Sequence, residues 1–360
     1  MNYISDLFNG RDMKKIIAIL FTGILLYSCT NRDIEFDDYD YTTVYFPFQM
    51  PIRTLILGDE SVGDNSIDLE RAFSIGVTMG GVYENKEDRV VTIAYAPELA
   101  ENIINTATGD TLSLLPESYY DADFLNEAQL NLTIPAGELS GKTRVQLNDA
   151  FFQDPLSAGF NYVVPLRITG AVSDSVLSGE VNSAVSLDTA DVRNPEHWKT
   201  LPKNYTMFGI RYINEAHGYY LYRGQRLNLT TQDTLTYAER FLTDNVATML
   251  STTSLTENIM DHAAGLSTDG SFSMKLTFDH NNKSIVVSQV DTTTVAVSGT
   301  GLYYSKDDNG SESYNGNQRR TIYLDYIYND GTDDYQVNDS LVFIDTDVTF
   351  EEYAVTIYKP

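Results

Sequence analysis

An alternation of apolar and polar residues with a period of two constrains this chain most strongly. Residues 73–79, 130–134 and 274–278 each place apolar side chains at every second position, and glycine, asparagine and aspartate separate such runs. Because successive side chains of a strand point to opposite faces, this pattern predicts half-buried β-strands. Many short runs separated by turn residues are typical of antiparallel sheets. We therefore predict an all-β protein.

The strand pattern divides the chain into two halves. Residues 42–190 carry short strands with loops between them, which predicts a β-sandwich. The turn signal Asn194-Pro195 opens residues 191–360, whose strands are longer and more aromatic. This second half is expected to be an antiparallel domain that closes into an up-and-down meander barrel, with two packed sheets as the alternative.

Particular elements can be assigned within this pattern. Residues 205–213 and 219–229 are predicted to open the meander of the second half, and residues 353–358 to close it. One short helix is predicted over residues 97–106, where the alternation is absent. Residues 238–264 are compatible with a helix or with strands.

The first thirty residues carry the features of an export signal. Met13-Lys14-Lys15 precedes an apolar stretch, residues 16–27, that is too short to span a bilayer as a helix. The stretch ends in Leu26-Tyr27-Ser28-Cys29, which resembles the lipobox of bacterial lipoproteins. The resemblance implies that residues 1–28 contain a signal peptide. Residues 1–12 lack signal character, so translation is expected to begin at Met13. The lipobox resemblance also implies that Cys29, the only cysteine, carries the lipid that anchors the protein to a bilayer.

The segment that follows, residues 29–41, is strongly acidic. Its like charges keep it solvated and extended, so it is predicted to be a tether after the lipidated cysteine. It is also similar to the acidic export signals of Bacteroides-type lipoproteins. That resemblance implies a protein in the outer membrane that faces the cell exterior.

Charge and motifs exclude several classes of function. The chain has 24 Lys and Arg against 51 Asp and Glu, a formal charge of −27, which repels phosphate backbones and argues against nucleic-acid binding. It contains no Gly-x-Ser-x-Gly elbow, no phosphate-binding loop and no His-Glu-x-x-His, and its four histidines are scattered. We therefore predict no catalytic residues, no metal site and no other cofactor.

Four segments of the first half carry a family resemblance. They are residues 44–47 (VYFP), 115–120 (LPESYY), 134–138 (IPAGE) and 162–168 (YVVPLRI). Together they resemble a Bacteroides-type lipoprotein module known in front of secreted family-18 glycoside hydrolases. The resemblance implies an immunoglobulin-like sandwich over residues 42–190 that has no catalytic residues of its own. The hydrolase activity belongs to the neighbouring domain and does not transfer with the module.

The second half resembles the companion domain of uncharacterised two-domain surface lipoproteins. The similar segments are residues 198–202 (WKTLP), 205–210 (YTMFGI), 217–224 (HGYYLYRG) and 320–326 (RTIYLDY). Such proteins are often encoded beside glycan-uptake genes. The resemblance implies glycan handling at the cell surface, by binding and not by cleavage.

The leading hypothesis is a non-catalytic surface lipoprotein that binds glycan for an outer-membrane transporter or hydrolase of the same system. The 25 Tyr and 16 Phe support it, because the apolar face of a sugar stacks on aromatic rings. One alternative is a structural or adhesin-like surface protein without a small ligand, in which these aromatic residues form the core. The third hypothesis is a glycoside hydrolase, which needs a pair of carboxylates at a suitable separation. The 51 acidic residues neither support nor exclude it, because so many carboxylates form such pairs by chance.

Four residues are predicted to form a ligand-binding platform. Trp198, the only tryptophan, lies in the stretch between the halves, and domain junctions are common places for ligand clefts. In the strand at 219–223, alternation places Tyr220 and Tyr222 on one face and Arg223 on the other. One of these faces must be core, so the aromatic pair is either part of the platform or structural.

Overall fold

The computed structural model describes residues 38–39, 41–59, 63–121, 129–266, 271–290 and 294–358. The predicted signal peptide, Cys29 and most of the predicted tether lie outside these residues. The described residues from 41 onward belong to one compact unit, and every contact given below lies within it. Within the described ranges, none of the helices has the length and apolar character needed to cross a bilayer.

The first part of the chain consists of short strands, as the alternation predicts. They are β1 (Thr43–Tyr45), β2 (Pro51–Ile56), β3 (Ala72–Gly80), β4 (Arg89–Tyr95), β5 (Ile103–Asn105), β6 (Ser113–Leu114), β7 (Tyr120–Asp121), β8 (Leu130–Ile134), β9 (Ser140–Leu147), β10 (Tyr162–Ala171), β11 (Ser175–Val176), β12 (Glu180–Val181), β13 (Trp198–Thr200) and β14 (Tyr205–Ile213). Short helices α1 (Ser66–Leu69) and α2 (Asp149–Gln153) and 3₁₀ turns at Pro97–Ala100, Glu117–Tyr119, Pro155–Ala158, Leu187–Thr189 and Pro195–His197 lie between them.

The helix predicted over residues 97–106 is wrong. Only Pro97–Ala100 is helical, as a 3₁₀ helix, and β5 begins at Ile103. Asn102 between them has φ 56°, a left-handed conformation that ends the turn. The strand β5 then pairs with residues 355–357 near the end of the chain. Tertiary pairing therefore overrides the local pattern here.

The strands of the first part form two sheets that pack face to face. One sheet has the order β11-β1-β3-β9-β7, and the other contains β2-β14-β10-β4-β8, with β6 also beside β10. Inward-facing residues of both sheets, such as Val77 and Val145 from the first and Val91 and Ile168 from the second, share one hydrophobic core. This arrangement confirms the predicted β-sandwich.

Strand β14 belongs to the sandwich and not to the meander for which it was predicted. It lies antiparallel to β10 and parallel to β2 in the second sheet. Its residues Ile210 and Tyr212 face the sandwich core, while Tyr205 and Met207 face a smaller core on the other side of the sheet. A strand with two buried faces needs cover on both sides. The domain boundary between residues 190 and 191 stays a prediction.

The second part of the chain continues with longer antiparallel strands. They are β15 (Gly218–Asn228), β16 (Thr234–Tyr237), β17 (Ala247–Thr252), β18 (Glu257–Met260), β19 (Met274–Asp279), β20 (Ser284–Gln289), β21 (Ala296–Tyr304), β22 (Glu312–Tyr314), β23 (Asn317–Arg319), β24 (Thr321–Asn329), β25 (Asp334–Asp345), β26 (Glu351–Glu352) and β27 (Val355–Ile357). Further 3₁₀ turns span Leu242–Asp244 and Ala263–Gly265. The ambiguous stretch 238–264 thus forms strands β17 and β18 with short turns.

The strands β15-β17-β18-β19-β20-β21-β24-β25 form a closed antiparallel ring, because β25 pairs back to β15. Neighbours in the ring follow one another along the chain, so the predicted up-and-down barrel is confirmed. β16 pairs with the far end of β15, and β22 and β23 form a separate hairpin. An eight-stranded barrel has an interior that side chains can fill. Here Tyr220, Phe278, Tyr326 and Phe343 are among the residues that fill it.

The end of the chain leaves the barrel. β26 pairs with β2 at the edge of the sandwich sheet, and β27 pairs with β5. The prediction that residues 353–358 close the meander is therefore wrong. The pattern identified a strand correctly near this position, but it could not identify the partner of that strand.

Candidate functional site

Trp198 is held in a defined orientation by the segment that precedes it. Asn194 caps the 3₁₀ turn Pro195–His197 by accepting a hydrogen bond from the Glu196 N–H. Trp198 then opens β13, which pairs with β12. The indole N–H donates to the carbonyl oxygen of Asp191 at 2.8 Å, and the side chain remains partly exposed. The ring is therefore fixed without being removed from solvent.

The ring borders a cleft of about 450 Å³. The rest of the lining comes from the turn at residues 97–100, the strand β10, the loop 187–193, Ser178 and Asn204. The guanidinium of Arg167 lies 3.5 Å from the Glu98 carboxylate in this lining. The Asn204 side-chain oxygen is buried and accepts no hydrogen bond from the part of the chain that the structure describes. Donors, an acceptor and one aromatic ring thus share the same cleft.

The loop beside the cleft is fixed by Arg193. Its guanidinium contacts the Asp191 carboxylate at 2.6 Å and donates to the carbonyl oxygens of Leu99 and Glu101, both at 2.8 Å. Burial would raise the pKa of Asp191, but the hydrogen bonds from Arg193 outweigh it and hold that pKa below its ordinary value. Asp191 is therefore ionised at neutral pH, and the loop is tied to the turn at residues 97–100.

Two of the predicted platform residues lie inside the barrel. Tyr220 is 0 % exposed and Tyr222 is 2 % exposed. The Tyr220 hydroxyl donates to the carbonyl oxygen of Ala216 at 2.8 Å and accepts from Arg320 at 3.0 Å. Neither ring presents a face to solvent, because alternation turns both inward. Their contribution in this structure is to the core.

Arg223 lies on the outer face of the barrel, as alternation requires, and does not line the cleft beside Trp198. Its guanidinium contacts the Glu312 carboxylate at 2.5 Å, and Tyr323 donates to the same carboxylate at 3.1 Å. Arg223 and Tyr323 border a separate depression of about 340 Å³. The four predicted residues therefore do not share one cleft, and a ligand-binding role for Trp198 and for Arg223 stays a prediction.

The barrel interior holds a carboxylate that sequence analysis missed. Asp339 on β25 accepts hydrogen bonds from the hydroxyls of Tyr222 at 2.9 Å and Tyr326 at 2.7 Å, and also from Tyr237. Burial raises the pKa of Asp339 to about 6, although the three hydroxyl donors act in the opposite direction. The signal was present in the sequence, since Asp339 occupies an inward position of an otherwise apolar alternation in β25.

A glycine opposite Asp339 leaves room for its carboxylate, and backbone N–H groups bind the tyrosine hydroxyls around it. Gly224 lies opposite Asp339 on β15, and a β-carbon there would lie 2.1 Å from the carboxylate oxygen. The N–H groups of Ala264 and Gly265 each donate at 2.9 Å to a tyrosine hydroxyl that Asp339 orients. The carboxylate thereby ties the turn Ala263–Gly265 to the barrel.

Nowhere in the described ranges do three His, Cys, Asp or Glu side chains group closely enough to hold a metal ion.

Comparison with known proteins identifies relatives without a stated activity. Residues 39–175 match a family model described as an N-terminal domain, and residues 215–347 match a Domain of unknown function (DUF5627). None of the curated proteins matches the chain. The matched models agree with the two-part resemblance predicted from the sequence, but they do not show the link to family-18 glycoside hydrolases.

Three solved structures illustrate the structural similarity. A Bacteroides ovatus protein of unknown function is 30 % identical, with a TM-score of 0.77, over 89 % of this chain and 100 % of its own. A multidomain Bacteroides ovatus protein that includes DUF1735 is 14 % identical, with a TM-score of 0.44, over 86 % of this chain and 97 % of its own. An auxiliary nutrient binding protein from Bacteroides thetaiotaomicron is 12 % identical, with a TM-score of 0.39, over 81 % of this chain and 89 % of its own.

Proposed function

This chain belongs to the family of the Bacteroides ovatus protein of unknown function, and we propose that it is a non-catalytic surface lipoprotein that binds glycan beside Trp198. The observation that carries the proposal is the cleft itself, in which a fixed and partly exposed indole ring adjoins hydrogen-bonding side chains. A sugar ring has an apolar face that stacks on an aromatic ring and hydroxyls that need donors and acceptors around it.

The polar groups of the cleft suit such a ligand. Arg167 supplies donors, and Glu98 supplies acceptors, on the same wall of the cleft. The Asn204 oxygen, which accepts no hydrogen bond from the described residues, can accept one from a sugar hydroxyl. A buried acceptor without a partner costs free energy that a bound hydroxyl recovers.

The environment of Asp191, one of three carboxylates among the described residues that line the cleft, favours binding over hydrolysis. A glycosidase needs one carboxyl group whose pKa is raised so that it can donate a proton to the leaving oxygen. The pKa of Asp191 moves the other way, because Arg193 stabilises its ionised form. Glu98 is largely exposed and pairs with the Arg167 guanidinium at 3.5 Å.

The cellular setting of the proposal comes from the sequence. A lipid on Cys29 holds the protein in the outer membrane, facing the exterior, where it presents glycan to a transporter or hydrolase of the same uptake system. The competing function is a structural or adhesin-like surface protein without a small ligand. In that case the only role of Trp198 is structural, because its indole N–H connects β13 to the loop 187–193 through the Asp191 carbonyl oxygen.

A glycan array on the purified protein tests the proposal, followed by calorimetric titration of any glycan that binds. We expect Trp198→Ala to weaken binding several-fold, since one stacked ring contributes about 0.5–1.5 kcal/mol. Trp198→Phe keeps an aromatic face and should retain part of the affinity, while Arg167→Gln should weaken binding independently. The matched control is Phe241→Ala, which removes an exposed ring outside the cleft. Binding of nothing across plant, host and microbial glycans would favour the structural alternative.

A further inference from the structure

A second cavity, of about 360 Å³, opens between the two sheets of the sandwich. Its lining shares no residue with the cleft beside Trp198. Four phenylalanines dominate it: Phe46, Phe48, Phe208 and Phe350. Phe48 and Phe350 are 43 % and 60 % exposed, and their ring centroids lie 4.4 Å apart. These two rings form an aromatic rim, while Phe46 belongs to the buried core.

One wall of this inter-sheet cavity carries a hydroxyl without a partner. Thr206 is 2 % exposed and shares a strand face with Phe208 and Ile210, which pack in the sandwich core. Its hydroxyl is buried and makes no hydrogen bond to any residue that the structure describes. Buried hydroxyls in folded proteins almost always have a partner. An unpaired hydroxyl beside an apolar cavity therefore points to a ligand with a hydrogen-bonding group.

A cationic side chain also lines the cavity. Lys142 on β9 is exposed, and within the described ranges it forms no ion pair. Arg53 lines the cavity as well, but the Asp68 carboxylate neutralises its guanidinium. In a chain whose formal charge is −27, an uncompensated lysine at an aromatic opening provides a local positive charge that attracts anions.

We propose that the inter-sheet cavity binds a small aromatic carboxylic acid that carries a hydroxyl group. The aromatic ring lies among the phenylalanines, where edge-to-face contacts are favourable. The hydroxyl reaches Thr206 in the buried part, and the carboxylate stays near Lys142 at the exposed part. The cavity volume lies at the small end of the range for small-molecule sites, which suits one ring with a short side chain.

Calorimetric titration with three matched probes tests this proposal. The first is para-hydroxyphenylpropionate, the second is phenylpropionate without the hydroxyl, and the third is para-hydroxyphenylpropionamide without the charge. We expect the intact protein to bind the first probe about fivefold more tightly than each of the others, as one hydrogen bond or one partly exposed charge contact would give.

Two variants assign each preference to its residue. Thr206→Val should bind the first two probes equally while keeping its preference for the carboxylate. Lys142→Gln should bind the first and third probes equally while keeping its preference for the hydroxyl. Phe350→Ala should weaken all three, and Trp198→Ala should leave all three unchanged. The same discrimination in every variant would overturn the proposal, and so would failure of all three probes to bind at millimolar concentration.

Thermal unfolding without any probe supplies a second and independent test. Thr206→Val keeps the shape of the side chain and removes only the hydroxyl. A hydroxyl that is unpaired in the folded protein predicts a melting temperature equal to or above that of the unmodified protein. A clear fall in melting temperature would mean that the hydroxyl already has a partner, and would overturn the proposal.

Discussion

Mild acid should change the stability of this protein in opposite directions through two groups, the buried Asp339 and the partly buried His217. Burial raises the pKa of Asp339 from 3.8 to about 6 in the folded state. The folded protein therefore holds this proton more tightly than the unfolded chain. The resulting stabilisation is complete below pH 3.8 and is lost as the pH rises through 6. Because a tenfold change in proton affinity corresponds to about 1.4 kcal/mol, the full stabilisation is about 3 kcal/mol.

His217 acts in the opposite sense. Burial, with smaller effects from Arg320 and Arg211, lowers the pKa of His217 from 6.5 to about 4. The neutral ring accepts a hydrogen bond from the Thr252 N–H at 3.1 Å through Nδ1. The stability that it contributes is present above pH 6.5 and is lost as the pH falls through 4. Its full size before solvent screening is about 3 kcal/mol, and screening reduces it because the ring is partly exposed.

Between pH 7 and pH 5 the two contributions partly cancel. From these pKa values, protonation of Asp339 stabilises the fold by about 1 kcal/mol, and protonation linked to His217 destabilises it by about 2 kcal/mol. Groups whose pKa lies below the ordinary value, such as Asp154 and Asp191, act below pH 4 and are common to all variants. The unmodified protein should therefore lose at most about 1 kcal/mol over this range.

Single substitutions should separate the two effects in urea unfolding at pH 7 and pH 5. Asp339→Asn removes the compensating gain, so its stability should fall by about 2 kcal/mol between these pH values. His217→Asn, whose amide oxygen can replace Nδ1 as acceptor, should instead gain about 1 kcal/mol. Asp325→Asn, at an exposed carboxylate of β24, is the control and should behave as the unmodified protein. Identical changes with pH in all four proteins would refute the reasoning.

Three further predictions concern the barrel, the domain boundary and the anchor. Gly224→Ala places a β-carbon against the buried carboxylate and should cost at least about 1–3 kcal/mol in thermal unfolding, whereas Gly170→Ala, which meets no atom within 4 Å, should cost little. A fragment of residues 42–190 lacks β14 and should fail to show β-sheet circular dichroism, whereas residues 42–213 should fold; the opposite order would support a boundary at residue 190. Cys29→Ser should abolish partitioning into detergent, and a variant that still partitions would contradict lipidation.

Local alternation was sufficient to locate most strands, and it could not identify their partners. The residues predicted for the strand at 205–213 are the residues of β14. The apolar side chains on both of its faces were the one sign that it lies between two cores, because a barrel strand would leave one face in solvent. Closure of the barrel followed from the regular succession of hairpins. The return of β26 and β27 to the sandwich depends on long-range pairing that leaves no local pattern.

The candidate site was predictable to a similar degree. The single tryptophan at the junction of the two halves suggested a ligand site, which stays a prediction, and the structure places Trp198 beside a polar cleft. Alternation showed that Tyr220 and Tyr222 share a face, but it could not decide which face is inside, because both faces of that strand carry large side chains. Asp339 was detectable as a charged residue in an apolar register. Its three tyrosine partners come from three different strands and could only be found in the folded protein.

The intrinsic fluorescence of Trp198 tests the central claim most directly, because Trp198 is the only tryptophan in the chain. Excitation at wavelengths that tyrosine does not absorb reports on this ring alone. A glycan that stacks on it should shift or quench the emission, and the change should saturate with the dissociation constant measured by calorimetry. A glycan that binds in the calorimeter and leaves the tryptophan emission unchanged throughout the titration would contradict binding beside Trp198.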